Sequence, residues 1–327
     1  MLVSTVSLIV LGVAIILLEG NIIMRVIVFG STGMLGRYCC QVLGEKNEVI
    51  AVNREMIDAS KCSGSDLETL LNQFFGNKMT FDGSKYEIND IPSCLKAFAD
   101  ECEAINILAL MNSLKETVVI NCIGAIPQRS DDSRHFISVN TLFPHLLSNA
   151  CRKFGIKMIH VTTDCVFSGN KGNYLETDPH DETGIYGVTK SLGEPKDCCV
   201  IRTSIIGEEL YNKRSLLEWV REQNGKQIFG YVNHFWNGVT CLQLSKIIGE
   251  IIEKDMFWEG VKHIHSPDSV SKHDLIKTII DVYDLKVDLR CYPTDDVNKT
   301  LGSINATLFD IPDIKTQILQ QKSFHND

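Results

Sequence analysis

Met24-Arg25-Val26-Ile27-Val28-Phe29-Gly30-Ser31-Thr32-Gly33-Met34-Leu35-Gly36 opens the regular part of this chain. Arg25–Phe29 is apolar and β-branched, which predicts a buried strand. The turn Gly30-x-x-Gly33-x-x-Gly36 follows at once. Met34–Leu43 then has a helical pattern, with Gly44 expected to close it. A strand, a glycine turn and a helix in that order suit a dinucleotide site. The glycines let the backbone turn tightly and approach a pyrophosphate, and the helix start offers N–H donors. The first spacing is two residues, not the single residue of the usual fingerprint, and a plain packing turn would use the same glycines.

Outward from this turn the chain alternates. Glu48–Val52 predicts a second strand, ending in Val52-Asn53-Arg54. A carboxylate there would bind a ribose 2′-hydroxyl, whereas Arg54 can pair with a 2′-phosphate. The cofactor expected is therefore NADPH, with NADH as the alternative and a solvated surface arginine as the plain reading of Arg54. Helices are predicted over Asp66–Phe75 and Phe136–Phe154, the latter stopped by Gly155. Strands are predicted at Val118–Cys122, Lys157–Thr162 and Cys198–Ile206, with a helix over Thr183–Glu194. This rhythm predicts an α/β chain with a doubly wound parallel Rossmann sheet. After residue 207 the pattern turns helical: Ser215–Gln223, Leu242–Lys254 and Lys272–Tyr283. Only Val261–His265 looks like a strand of the main sheet. The expected division is 24–206 as the NAD(P)-binding domain. Residues 207–327 form a smaller, mostly helical C-terminal substrate lobe, with 261–265 returning to the main sheet.

The chain has 327 residues, 44% of them apolar, enough for one large core and a lobe. A net charge of −9 excludes nucleic acid as a general partner, because phosphate binding needs clustered Lys and Arg. The twelve cysteines form no CxxC pair, so they read as small reduced hydrophobes, with no metal site expected. Residues 1–23 stand apart. Met1–Leu18 carries no charge, and Leu8–Leu18 is apolar but short for a membrane span. An upstream extension of the reading frame, a membrane anchor and a secretory signal all remain open for it. Otherwise the expected location is cytoplasmic.

Two segments carry the chemistry: Val161-Thr162-Thr163-Asp164 at the end of a strand, and Tyr186-Gly187-Val188-Thr189-Lys190 on a helix. Tyrosine and lysine four apart share one helix face. A tyrosine titrates near 10, and a nearby ammonium is expected to lower that value. A threonine hydroxyl could hold a reacting carbonyl oxygen. The combination suits protonation of an alkoxide as hydride arrives. By itself the Tyr-Lys spacing also suits an ordinary surface pair.

With Asn121-Cys122-Ile123-Gly124 added, the chain resembles the extended short-chain dehydrogenase/reductases from Met24 to about Ser271. More narrowly it resembles the dTDP-4-dehydrorhamnose reductase branch. The residues that carry this are His160–Gly169, Tyr186–Glu194 and Ile201-Arg202-Thr203-Ser204. The resemblance implies roles by position. Thr163 would hold the substrate C4 oxygen, Tyr186 would be the acid, and Lys190 would support it and bond the nicotinamide ribose. Gly30, Thr32, Met34 and Leu35, within the turn that Gly33 and Gly36 complete, would line the pyrophosphate. Cys122, Ile123 and Gly124 would pack along the cofactor, and Thr203 near its nicotinamide end. Cys165, Val166 and Phe167 would face the substrate. Thr162 rivals Thr163, but strand alternation turns it to the other face.

Related dehydratases have glutamate where Cys165 stands, so elimination is not expected. The implied function is an NADPH-dependent reductase of a nucleotide-linked 4-keto-6-deoxy sugar, making a 6-deoxyhexose such as dTDP-L-rhamnose. The alternatives are a nucleotide-sugar epimerase and a non-catalytic NADP-binding subunit like the methionine adenosyltransferase β-subunit, which resembles the same branch. A homodimer is among the expected assemblies. In the lobe, Arg214 could reach a diphosphate and Trp236 could stack on a base. His263 and His265 alternate on a strand and read as structural.

Overall fold

A computed structural model describes residues 24–74, 117–211, 213–305 and 308–324. The readings made at 1–23 and Phe75 lie outside these residues. The elements in chain order are β1 (Arg25–Phe29), α1 (Met34–Gly44), β2 (Glu48–Val52), α2 (Gly64–Phe74) and β3 (Thr117–Asn121). One long helix follows: α3 (Ser133–Phe136), a π-helical segment (Ile137–Leu142) and α4 (Phe143–Lys153). Then come β4 (Lys157–Thr163), a 3-10 turn (Asp164–Val166), α5 (Ile185–Leu192), β5 (Cys199–Thr203), β6 (Ile205–Ile206) and α6 (Leu216–Glu222). The chain continues through β7 (Gln227–Tyr231), β8 (His234–Trp236), β9 (Val239–Thr240), α7 (Cys241–Glu253) and β10 (Gly260–His263). It ends with β11 (Val270–Ser271), α8 (Lys272–Tyr283), β12 (Asp288–Tyr292), β13 (Val297–Asn298) and α9 (Ile314–Phe324).

Among the described residues the main sheet has six strands in the order β10-β5-β4-β3-β1-β2, all parallel. The expected doubly wound sheet is present, and β10 returns to it beside β5. Alternation along the strands splits the core into two faces. Val26, Val28, Val118, Ile120, Ile159 and Ile201 pack under α1 and α7. Ile27, Phe29, Val119, Met158 and Val200 pack under α2 and α4. Burial on both faces explains why these strands read as continuous apolar runs. The strand order reverses between β1 and β3, whose carboxyl ends meet in register at Phe29 and Asn121. A crevice at such a switch point is where doubly wound sheets take ligands.

Three local expectations differ from the structure. Gly44 does not end α1 in a left-handed turn; it is the last helical residue, and Glu45 caps it with αR geometry. Gly155, by contrast, does adopt φ +63 after α4. The single strand expected over Cys198–Ile206 divides at Ser204, because β6 leaves the main sheet to pair with β9. The lobe is also less purely helical than expected: β11-β8-β13, β12-β7 and β6-β9 form small sheets there. Most of these strands run two or three residues, too short to show a period, and the five-residue β7 and β12 are largely exposed and carry no continuous apolar run. Among the described residues no helix is long and apolar enough to cross a membrane.

Candidate active site

The glycine turn is built as its sequence suggests. Gly30 has φ +79, and its N–H and that of Ser31 donate to Val52 O at 3.0 and 3.2 Å. A Cβ on Gly30 would lie 3.0 Å from the Ile123 side chain. On Gly36 it would lie 2.1 Å from Gly30 O. The turn can therefore exist only with glycine at both positions, and it brings the start of α1 over the β1/β3 crevice. The first N–H groups of α1, around Met34 and Leu35, have no intrahelical acceptor. Thr32 is exposed and Leu35 is buried. Gly33 donates to Gly30 O at 2.9 Å. Cys122 and Ile123 are half-buried and Gly124 exposed along the same crevice. These residues fit a dinucleotide: a backbone cradle with no side chain in the way. Arg54 is 77% exposed and lies 3.6 Å from Asp58.

β4 carries Thr163 to the carboxyl edge of the sheet. Its Oγ1 accepts from Cys165 N–H at 3.1 Å and donates to Asp164 Oδ1 at 3.1 Å. Thr162 points the other way, buried, with an Oγ1 that finds no hydrogen-bond partner among the described residues. α5 presents Tyr186 and Lys190 on one face. Burial pushes the Tyr186 hydroxyl well above its ordinary value; Cys165 adds to this, and a hydrogen bond with Thr163 opposes it. The expected lowering by Lys190 is not found: the charges of Cys165 and Asp164 act in the same direction as burial, and Lys190 is itself desolvated. The residue is 5% exposed, and its ammonium lies 3.5 Å from Val161 O and is pulled down to about 8 by burial. A Cβ on Gly124 would stand 3.6 Å from Lys190 Nζ, so the lysine reaches the cofactor crevice.

Asn140 was not singled out from the sequence. It lies in the π-helical segment, buried. Its Oδ1 accepts from Ala125 N–H at 2.8 Å, and its Nδ2 donates to Ala125 O at 3.0 Å and Thr189 Oγ1 at 3.4 Å. It thereby ties the loop after β3 to the helix that holds Lys190. An amide flanked by Val139 and Leu142 on a predicted apolar face was the available signal. π-bulges concentrate at such functional positions.

The remaining predicted residues spread out. Cys165 is half-buried, and burial with Asp164 beside it pushes its thiol up to about 12. Val166 and Phe167 are fully buried, turned inward by the 3-10 segment to pack with Tyr174 and Leu301. Thr203 is buried in register with Thr163. Arg214 is exposed and donates to Gln128 O at 2.5 Å, on the loop after β3. Trp236 is buried in the lobe core, with Lys272 Nζ 5.3 Å from its ring, so the exposed neighbour is Phe235. Behind the site, buried Arg202 forks onto Glu194 at 3.1 and 2.6 Å. It also contacts His263 at 2.9 Å and His180 at 2.7 Å. Burial and that guanidinium push both imidazoles down, His263 to about 4. His263 is thus engaged within the fold.

Comparison with known proteins agrees with this architecture. The profile of the RmlD substrate binding domain family matches residues 24–303. A dTDP-4-dehydrorhamnose reductase of Aggregatibacter actinomycetemcomitans is 28% identical over 223 residues, covering 62% of this chain and 73% of that protein. The crystal structure of dTDP-4-dehydrorhamnose reductase from Bacillus anthracis str. Ames in complex with NADP superposes with TM-score 0.69 at 15% identity, over 92% of this chain and 99% of that one. Bordetella bronchiseptica WbmG in complex with NAD and UDP gives TM-score 0.63 at 14% identity, over 93% and 94%. At such identities these two structures speak for the fold. The family match, which reaches from the first strand into the lobe, goes further: the chain belongs to the RmlD substrate binding domain family, that of the dTDP-4-dehydrorhamnose reductases, on an extended short-chain dehydrogenase/reductase fold.

Proposed function

We propose that this protein is an NADPH-dependent reductase of a nucleotide-linked 4-keto-6-deoxy sugar. The observation that carries the reading is the meeting of Thr163, Tyr186 and Lys190 at the carboxyl edge of the sheet, beside a glycine turn with no room for side chains. Bound in the crevice, the nicotinamide supplies hydride to the C4 carbon. Thr163 turns its donor from Asp164 to the C4 oxygen. Tyr186, kept protonated by burial, gives its proton to the developing alkoxide. Lys190 then faces the tyrosinate with a positive charge that it still largely holds at neutral pH. Asn140 fixes the loop and helix between which these groups work. Cys165, neutral up to about pH 12, has no part in acid-base chemistry, which favours reduction over elimination. Arg54, whose ion-pair partner among the described residues is Asp58 and most of whose surface is open, supports NADPH over NADH.

The test is nicotinamide oxidation by the purified protein. NADPH and NADH would each be offered with dTDP- and UDP-linked 4-keto-6-deoxy sugars, with and without a 3,5-epimerase. Tyr186→Phe is expected to lose about 10²–10⁴-fold in turnover with cofactor binding intact. Full turnover in that variant would remove Tyr186 from the acid role. Tight NADPH binding without turnover of any sugar would instead favour the regulatory-subunit alternative.

A further inference from the structure

Lys299 follows β13 in the substrate lobe, far in sequence from the reacting residues. Its backbone is sewn to the loop beyond the 3-10 turn. Asn298 N–H donates to Gly169 O at 2.7 Å, Asn173 N–H to Thr300 Oγ1 at 2.9 Å, and Tyr174 N–H to Thr300 O at 2.9 Å. Its side chain leaves that anchor and ends 3.0 Å from Glu182 Oε2. Glu182 is the residue that seats α5. Its Oε1 accepts from the N–H groups of Thr183 at 2.9 Å and Gly184 at 3.0 Å, and Gly184 is the N-cap of α5. Its own N–H donates to Val166 O at 3.2 Å. Gly187, next to Tyr186, has no space for a Cβ: one would stand 2.3 Å from Glu182 Cγ and 2.4 Å from Cys165 O. The Glu182 stem is therefore pressed between the first turn of α5 and the residues that follow Thr163. The ion pair is partly covered, with side chains 23% and 27% exposed.

We propose that Lys299 is a positioning residue through which the substrate lobe completes the reduction site: by holding Glu182 it sets the first turn of α5, and with it the Tyr186 hydroxyl, against Thr163. The inference rests on the reading of Tyr186 as the acid. An exposed or half-exposed ion pair adds little to stability, so its value here lies in geometry. A displacement of about 1 Å at a reacting group costs up to about a hundredfold in rate. Lys299 also places positive charge near Asp164 and Cys165, which its side chain acts on electrostatically.

The experiment uses the full chain with Lys299→Met, Lys299→Arg, Glu182→Gln and Tyr186→Phe. Lys299→Met and Glu182→Gln should lower kcat about tenfold or more, with the KM and Kd for NADPH within about twofold of wild type. Lys299→Arg, which can still bridge to Glu182, should recover most of that loss. An unchanged kcat in Lys299→Met, or a fall in thermal stability alone, overturns the positioning role. Tyr186→Phe separates the two readings. If it retains turnover, the acid assignment fails. If it is inactive while Lys299→Met is fully active, only the present inference fails. Should wild type reduce none of the sugars, amide exchange decides. Faster exchange across Thr183–Lys190 in Lys299→Met, with Lys157–Thr163 unaltered, supports the clamp, and equal exchange in both segments sinks it.

Discussion

Lys190 is the residue on which pH acts most directly. Its folded value is about 8 against an ordinary 10.5, because burial disfavours the ammonium. The unfolded chain therefore holds a proton between about pH 8 and 10.5 that the folded chain has released. The sign follows: stability rises with pH across that window, and the penalty of burying the charge is felt below it. Activity runs the opposite way. In the proposed reaction the charged lysine is the form that supports Tyr186, so kcat/KM should fall above about pH 8. A pH–rate profile checks this, and a flat profile up to pH 10 would contradict the role assigned to Lys190. Of the candidate site residues, the placement of Thr163, Tyr186 and Lys190 was legible because each sits at a defined place on a predicted strand or helix. The direction of the Tyr186 shift was not, because it depends on how much water the fold leaves around the hydroxyl.

At the scale of elements, α5 and the π-helical segment meet in a close joint. A Cβ on Gly193, which caps α5, would fall 1.7 Å from Asn140 O. Thr141 Oγ1 donates to Thr189 O at 2.8 Å across the same joint. Gly193→Ala must push two packed elements apart, at a cost of about 1–3 kcal/mol. Gly44→Ala is the opposite case. Gly44 is helical, its φ is not positive, and the nearest atom to a Cβ is 3.9 Å away. That change should stabilise by about 0.4–1 kcal/mol. Chemical denaturation of the two variants beside wild type tests both, and the same sign of change in each would contradict the packing argument. The sequence marked Phe136–Phe154 as one helix correctly, but a π-turn leaves the apolar pattern nearly intact and so escaped notice.

Across the whole molecule, the Arg202 network joins the sheet to the segments around it. Arg202 on β5, Glu194 beyond α5, His180 before it and His263 on β10 meet within hydrogen-bond distance. Burial, aided by the guanidinium, keeps His263 neutral down to about pH 4. The unfolded chain takes up that proton near 6.5. Stability should therefore decline as pH falls from about 6.5 to about 4. Urea unfolding at pH 7 and pH 5 measures it. His263→Gln should flatten the difference, and an unaltered slope in that variant would exclude His263 as its source.

The sequence alone determined the strand–turn–helix start, the parallel doubly wound sheet and the identity of the Thr, Tyr and Lys at its edge. These follow from local rules: apolar runs for buried strands, glycine where a Cβ has no space, and side-chain spacing along a helix. Only the tertiary structure decided that Lys299 of the lobe reaches Glu182 and that Asn140 binds the loop at Ala125. It also decided that Val166, Phe167 and Trp236 turn into the core. The Lys299 contact joins residues far apart along the chain and is set by how the lobe packs against the sheet, whereas the Asn140 contact is set by how the loop after β3 folds back on its helix; no local pattern encodes either.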